Sequence, residues 1–264
     1  MFCGLSGSHN WLMKRYLTII YGIGSYLVFV VAFLYAVGFV GAILVPRNVD
    51  HGIEAPLWQA FAVNLALLGV FGVQHSVMAR PAFKRWWTRF VPPQIERSTY
   101  VLLSSAALIL LYWQWRTMPA LIWDIRVPAG RVVVWALFWL GWAMVFASTF
   151  MINHFDLFGL RQVYLAWRGK PNPELGFRTH LLYRLVRHPI MLGFLIAFWA
   201  APTMTEGRLL FALGTTGYIL VALRFEERDL TASLGGQYRE YRRRVPMLIP
   251  LPRRRPVVKM VGQQ

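Results

Sequence analysis

Long uncharged stretches alternate along this chain with short segments rich in arginine and lysine. A helix needs about 20 mostly apolar residues to cross roughly 30 Å of hydrocarbon. The first uncharged run, 16–46, has 31 residues. That is well beyond the apolar core of about 7–15 residues in a cleaved leader, so it reads as an anchor that stays in place. Spans are expected at 17–45, 55–79, 98–115 and 132–155. Two shorter stretches, 188–205 and 209–223, are separated only by Glu206, Gly207 and Arg208, which predicts a tight helix–turn–helix. The pattern therefore predicts an all-α, polytopic transmembrane bundle of five to six spans, six being preferred, with a C-terminal helix hairpin followed by a basic tail. Two parts are expected: four N-terminal transmembrane helices in 1–155, then a loop, the hairpin and the tail in 156–264.

Composition agrees with this reading. Of 264 residues 57% are hydrophobic and 15% charged, against about 25% charged in soluble domains, which excludes an ordinary water-soluble fold. The net charge of +17 invites a comparison with nucleic-acid binders. Those proteins do not set their charges between long uncharged runs, and no nucleic-acid partner is expected. One cysteine, Cys3, excludes an intrachain disulfide.

Charge placement sets orientation. With a cytoplasmic N-terminus, 23 Lys and Arg lie in inside segments and 5 outside, namely Arg47, Arg116, Arg126, Arg131 and Arg208. This asymmetry follows the positive-inside rule and predicts a multi-pass protein of the cytoplasmic (inner) membrane with both termini inside. The clusters 242–244 and 253–255 read as faces for anionic membrane lipids, and the tail beyond Pro256 as frayed.

Ionisable groups at the edges of spans carry the candidate chemistry. Arg187-His188-Pro189 opens the fifth stretch. Proline suits the first helical position, and the free N–H groups behind it form a seat for a carboxylate or phosphate. A plain membrane anchor before a helix explains the segment equally well. Glu226-Glu227 sits where the last stretch ends, either to take a cation or diol or simply to pair with Arg224 and Arg228 at helical spacing. His154 and Asp156 end the fourth span, close enough in sequence to handle a proton together. In the second span Asn64 and His75 are 11 residues apart and share one helical face, where interhelical hydrogen bonding is the simpler role. No Walker loop, dinucleotide fingerprint, zinc motif or nucleophile elbow occurs, and no metal is expected.

Taken together, Thr179, Tyr183, Val186-Arg187-His188-Pro189 and Gly193, followed by Glu226-Glu227, Leu230, Gly235-Gly236, Tyr238, Tyr241 and Val245-Pro246, resemble the integral-membrane methyltransferases of the isoprenylcysteine carboxyl methyltransferase type. Within that superfamily the chain is most similar to the methanethiol S-methyltransferases, on Gln74-His75-Ser76-Val77-Met78-Ala79-Arg80-Pro81 and on the run from Asn153 to Gln162. It departs from the superfamily at Met191, where tyrosine is usual, and at Leu181-Leu182, where a glycine-containing turn often precedes the tyrosine. Both changes make the pocket more apolar and weaken the case for a prenylated peptide substrate.

The resemblance implies an S-adenosylmethionine pocket opening to the cytoplasm and built mainly from 156–264. Arg187, His188 and the helix start behind Pro189 would hold its carboxylate. Glu226 or Glu227 would take the amine or ribose hydroxyls, Tyr183 and Tyr238 would shape the adenosine wall, and Gly193 and Tyr241 would also lie at the cofactor site. The expected reaction is methylation of a small thiol, methanethiol to dimethyl sulfide. His154 backed by Asp156 is the first candidate base, with His180 and His75 as second choices. Other acceptors (another thiol, a lipid amine or a carboxylate) remain open, as does a non-catalytic membrane factor like the related denitrification-associated proteins. No obligate protein partner is indicated.

Overall fold

The computed structural model describes residues 5–173, 176 and 179–250. Cys3, the cluster 253–255 and the tail beyond Pro256 lie outside the described residues. Among the described residues, five helices are long and apolar enough to cross a membrane: Leu12–Gly41 within α1 (Leu5–Gly41), α2 (Leu57–Ala79), α4 (Pro93–Gln114), α5 (Pro128–Ile152) and α10 (Glu206–Leu234). Short helices join them: α3 (Pro81–Trp87), α6 (His154–Leu157), α7 (Leu160–Trp167), α8 (Leu182–Leu185), α9 (Pro189–Trp199) and α11 (Gly236–Arg244). Prolines punctuate the chain as their chemistry dictates. α3, α4, α5 and α9 each begin at a proline, whose missing N–H has no helical partner to lose at that position.

The expected sixth span takes another form. α9 has 11 residues, about 16 Å, or half the hydrocarbon thickness. The chain then leaves the helix and runs extended into β2 (Thr203–Thr205), which pairs antiparallel with β1 (Leu121–Asp124) in the loop between α4 and α5. Glu206 and Gly207 donate to the carbonyls of Ala120 and Met118, so the backbone outside the helices stays hydrogen-bonded. The sixth passage is thus an 11-residue helix followed by a short non-helical segment that ends in a three-residue strand. Thr205 caps α10, its hydroxyl accepting from the Arg208 amide at 3.2 Å. α10 then runs 29 residues, past the end of its apolar stretch at Leu223, and carries Glu226, Glu227 and Asp229 beyond it.

Charged groups sort to the two ends. At one end Arg208 meets Asp50 at 2.7 Å and Arg131 meets Asp124 at 3.1 Å. At the other, Arg80 meets Asp229 at 2.8 Å, Arg161 meets Asp156 at 2.9 Å and Arg187 meets Glu227 at 2.6 Å.

An aromatic core fills the middle, with Phe39, Tyr112, Trp115, Phe138, Trp142 and Phe211 buried together. The exposed apolar side chains around it, such as Trp58 and Leu34, form an outer face suited to lipid. α5 and α9 cross where two glycines meet. A Cβ on Gly141 would lie 2.6 Å from the Ala197 amide nitrogen, and one on Gly193 would lie 2.7 Å from the Gly141 carbonyl. This close crossing fixes where the start of α9 sits.

Candidate functional site

α9 starts beside the far end of α10, and α11 folds back across both. The reversal occurs at Gly235, whose φ of +57° is readily available only to glycine. It returns Tyr238 and Arg242 to Glu227.

Glu227, buried at 7% exposure, is the hub. Arg187 Nε donates to Oε1 at 2.6 Å and Nη2 to Oε2 at 3.0 Å. His188 Nε2 lies 3.0 Å from Oε1, and the Tyr238 hydroxyl donates to the same oxygen at 3.0 Å. Arg242 Nε lies 3.0 Å from Oε2. A carboxylate buried this far is tolerable only with such partners. Arg187 is engaged equally fully, its Nη1 donating to the carbonyls of Val245 and Arg242. The amides of Arg187 and His188 donate to the carbonyls of Pro246 and Met247, which pins the segment after α11 under the α9 start. The Tyr241 hydroxyl donates to the Tyr183 carbonyl at 2.6 Å and ties α11 to α8. Burial pushes both the Tyr238 and Tyr183 phenols above their ordinary range, with Glu227 adding to the shift at Tyr238 and Glu226 to that at Tyr183. Tyr241 is pushed up to about 12, mainly by burial.

The two glutamates therefore differ in kind. Glu227 holds the fold of the site, whereas Glu226 keeps a carboxylate 44% exposed, 3.8 Å from His188 Nδ1. The helical pairing of Glu227 with Arg224 or Arg228 gives way to Arg187, 40 residues earlier. Arg242, expected among lipid-facing charges, turns inward to Glu227, while Arg243 and Arg244 pair with Glu240. Met191 packs against the cluster of Ile219, Leu223 and Leu248. Gly193 lies on the α5 side of α9 at the glycine crossing.

The histidines are dispersed. His154, 5% exposed, has both ring nitrogens engaged, Nε2 at 2.7 Å from the Tyr26 hydroxyl and Nδ1 at 2.8 Å from the Thr149 hydroxyl. Its ring stacks on Phe150 at 4.3 Å, and burial lowers its pKa. Asp156 does not back it: that carboxylate accepts from Arg161 and Gln162. His180 is exposed on the approach to α8. Asn64 makes a reciprocal pair of 2.8 Å bonds to the Arg116 backbone at the opposite end. His75 lies between α2 and α4, 2.9 Å from the Tyr100 hydroxyl through Nε2 and 3.2 Å from the Ser104 hydroxyl through Nδ1. The sequence alone does not point to Arg242 beside Glu227 or to Tyr100 and Ser104 beside His75. The repeated Tyr and Arg spacing after Glu227 was a signal for the first alone.

Fold and site together define a polytopic helical membrane protein whose last helices close a buried Arg–His–Glu–Tyr cluster at one end of the bundle. A sequence model of the NnrU protein family matches residues 63–227. The chain is 77% identical over 242 residues to a methanethiol S-methyltransferase of Mycobacterium tuberculosis, covering 92% of this chain and 99% of that protein. It is 57% identical over 239 residues to methanethiol S-methyltransferase 2 of Bradyrhizobium diazoefficiens, covering 90% and 92%. It is 33% identical over 189 residues to nurim of Mus musculus, covering 69% and 70%. No solved structure matches. The chain belongs to the NnrU family and, within it, to the methanethiol S-methyltransferases.

Proposed function

We propose that this protein methylates methanethiol to dimethyl sulfide, with S-adenosylmethionine as donor, in the cytoplasmic membrane and with the Glu227 cluster facing the cytoplasm. The observation that carries this reading is the 77% identity to a methanethiol S-methyltransferase across 99% of that relative's length. The 23-to-5 distribution of basic residues supports the orientation.

The residues at the site fit the donor. An ammonium or ribose diol needs an accessible carboxylate, and Glu226, 44% exposed and 3.8 Å from His188 Nδ1, offers one. A carboxylate needs donors, supplied by the N–H groups at the start of α9 and by His188 Nδ1. Tyr183 and Tyr241 wall the adenosine side. Arg187, Glu227, Tyr238 and Arg242 act one layer behind, holding His188 and the α9 start in place. Bound S-adenosylmethionine would supply an electrophilic methyl group on a sulfonium. The protein's own part is to keep water out and to take up the thiol proton. Thiolate and sulfonium lose their charges together, so a weakly polar cavity favours the transition state over the separated ions. The product is neutral and leaves through lipid.

Titration of the detergent-solubilised protein with S-adenosylmethionine tests the donor half. Saturable binding is expected, weakened at least tenfold in Glu226→Ala. Equal affinity in that variant would remove Glu226 from the site.

A further inference from the structure

α2 and α10 run in the same direction and meet at small residues. A Cβ on Gly214 would lie 2.7 Å from Leu68 Cδ1, and one on Gly72 would lie 2.9 Å from the Tyr218 ring. Towards their starts the two helices part, and the space between them is a groove of about 580 Å³ at the end of the bundle opposite Glu227. Trp58 and Phe61 form one wall, Leu209 and Leu213 the other, and Met118 from the loop between α4 and α5 closes the back. Met118 is held there through its backbone carbonyl, which accepts from the Gly207 amide at 3.0 Å. Trp58, Phe61 and Leu213 are exposed, so the groove opens on the lipid-facing side of the bundle.

Eight of the nine residues lining it are apolar, and the ninth is Glu206. A carboxylate next to hydrocarbon is costly unless a cation meets it. The neighbouring acids have theirs, since Asp50 pairs with Arg208 and Asp124 with Arg131. Half-buried Glu206 makes no side-chain hydrogen bond or ion pair among the described residues. Its place in the first turn of α10 suits the helix dipole, but the dipole calls for no groove beside it.

The occupant must therefore be apolar along most of its length and cationic at one end. A second copy of the chain is disfavoured, because a twofold contact sets like patches against each other and would bring two unpaired Glu206 carboxylates together. A lipid with a net negative headgroup would add charge of the same sign at the rim. Trp58 is of the residue type that marks the headgroup level. That puts Glu206 beside the headgroups and Leu213 roughly 10 Å deeper, at the level of the chains.

We propose that this groove binds one aminophospholipid, with an acyl chain between α2 and α10 and its primary ammonium on Glu206. An ammonium donates charge-assisted hydrogen bonds to a carboxylate, which a trimethylated headgroup cannot do. The site needs only the membrane-embedded fold and stands apart from the reaction proposed above.

The test incubates the full-length protein, purified in detergent, with phosphatidylethanolamine, phosphatidylglycerol and phosphatidylcholine of identical acyl chains and counts bound lipid by native mass spectrometry. Phosphatidylethanolamine should be retained about three- to fivefold over either of the others, the worth of one partly exposed ion pair. Glu206→Gln should abolish that preference, whereas Glu240→Gln, at the far end of the bundle, should keep it. Leu213→Trp, which fills the groove, should lower retention of all three lipids. Equal retention of the three by wild type, a preference that survives in Glu206→Gln, or a dimer that excludes all three overturns the proposal. Photolabelling of wild type with a phosphatidylethanolamine carrying a diazirine in its acyl chain reads the site even if a variant fails to fold. Adducts on 57–61 and 209–213 support the groove, and adducts confined to other helices overturn it.

Discussion

Arg187 meets Glu227 across 40 residues of sequence at two points, Nε to Oε1 at 2.6 Å and Nη2 to Oε2 at 3.0 Å, and both side chains are more than nine-tenths buried. Removing one partner leaves the other charged and without water, which costs about 3–5 kcal/mol. Glu227→Ala should therefore lower thermal stability sharply and abolish donor binding. Arg187→Lys should fall close behind it, because an ammonium cannot reproduce the two-point contact and also serve the Val245 carbonyl. Thermal unfolding in detergent, followed by tryptophan fluorescence, measures both. A Lys variant as stable as wild type would contradict this role for the pair.

The α5–α9 crossing gives a prediction of reversed sign. Glycine to alanine within a helix normally stabilises by about 0.5–1 kcal/mol. Gly193→Ala and Gly141→Ala should instead destabilise by about 1–3 kcal/mol, because the added methyl meets backbone that cannot step aside. Gly217→Ala in α10 is the internal control. Nothing lies within 4 Å of its Cβ position, so it should show the ordinary gain. Melting temperatures of the three variants check this directly.

Leu181 adopts φ +42° just before α8, in the region that disfavours side chains. The strain in such a residue is of order 1–3 kcal/mol, and glycine loses about 0.5–1 kcal/mol of that gain through its unfolded-state entropy. Leu181→Gly should thus stabilise by about 1 kcal/mol without weakening donor affinity. A lower melting temperature would show that the leucine makes a contact worth more than the strain.

His154 gives a pH dependence. Burial lowers its pKa from the ordinary value of about 6.5, so the folded protein favours the neutral ring. Its contribution to stability is complete above about 6.5 and is lost as pH falls from there through the folded-state value, since the unfolded chain takes the proton first. The melting temperature of wild type should drop across that window. His154→Gln should be less stable at neutral pH and show a shallower drop. Parallel curves would mean that another group titrates.

How much of this was legible beforehand depends on what kind of signal each element leaves. Four of the five long helices could be read because runs of about twenty apolar residues between charges have few other fates, whereas α10 showed in the sequence only as the shorter stretch 209–223. The α9–β2 passage could not, because length and hydropathy cannot tell a helix followed by a strand from a helix alone, and the pairing with 121–124 is set by a loop far away in sequence. The end of α10 was placed too early for a related reason: apolarity stops with the lipid at Leu223, whereas the helix continues to Leu234. Arg187, His188 and Glu227 stood out as charges at span edges, but their mutual pairing spans 40 residues and left no periodicity. His154 and Asp156 illustrate the converse, since closeness in sequence placed them on a turn whose side chains diverge to Tyr26 and Arg161.

Headspace gas chromatography over purified protein in lipid nanodiscs, supplied with methanethiol and S-adenosylmethionine, is the most direct measurement. Dimethyl sulfide should accumulate with time, in equal molar amount to S-adenosylhomocysteine, and should fall to background in Glu227→Ala. Protein that binds the donor saturably yet leaves methanethiol unconverted, while methylating a lipid or carboxylate acceptor instead, would contradict the assignment.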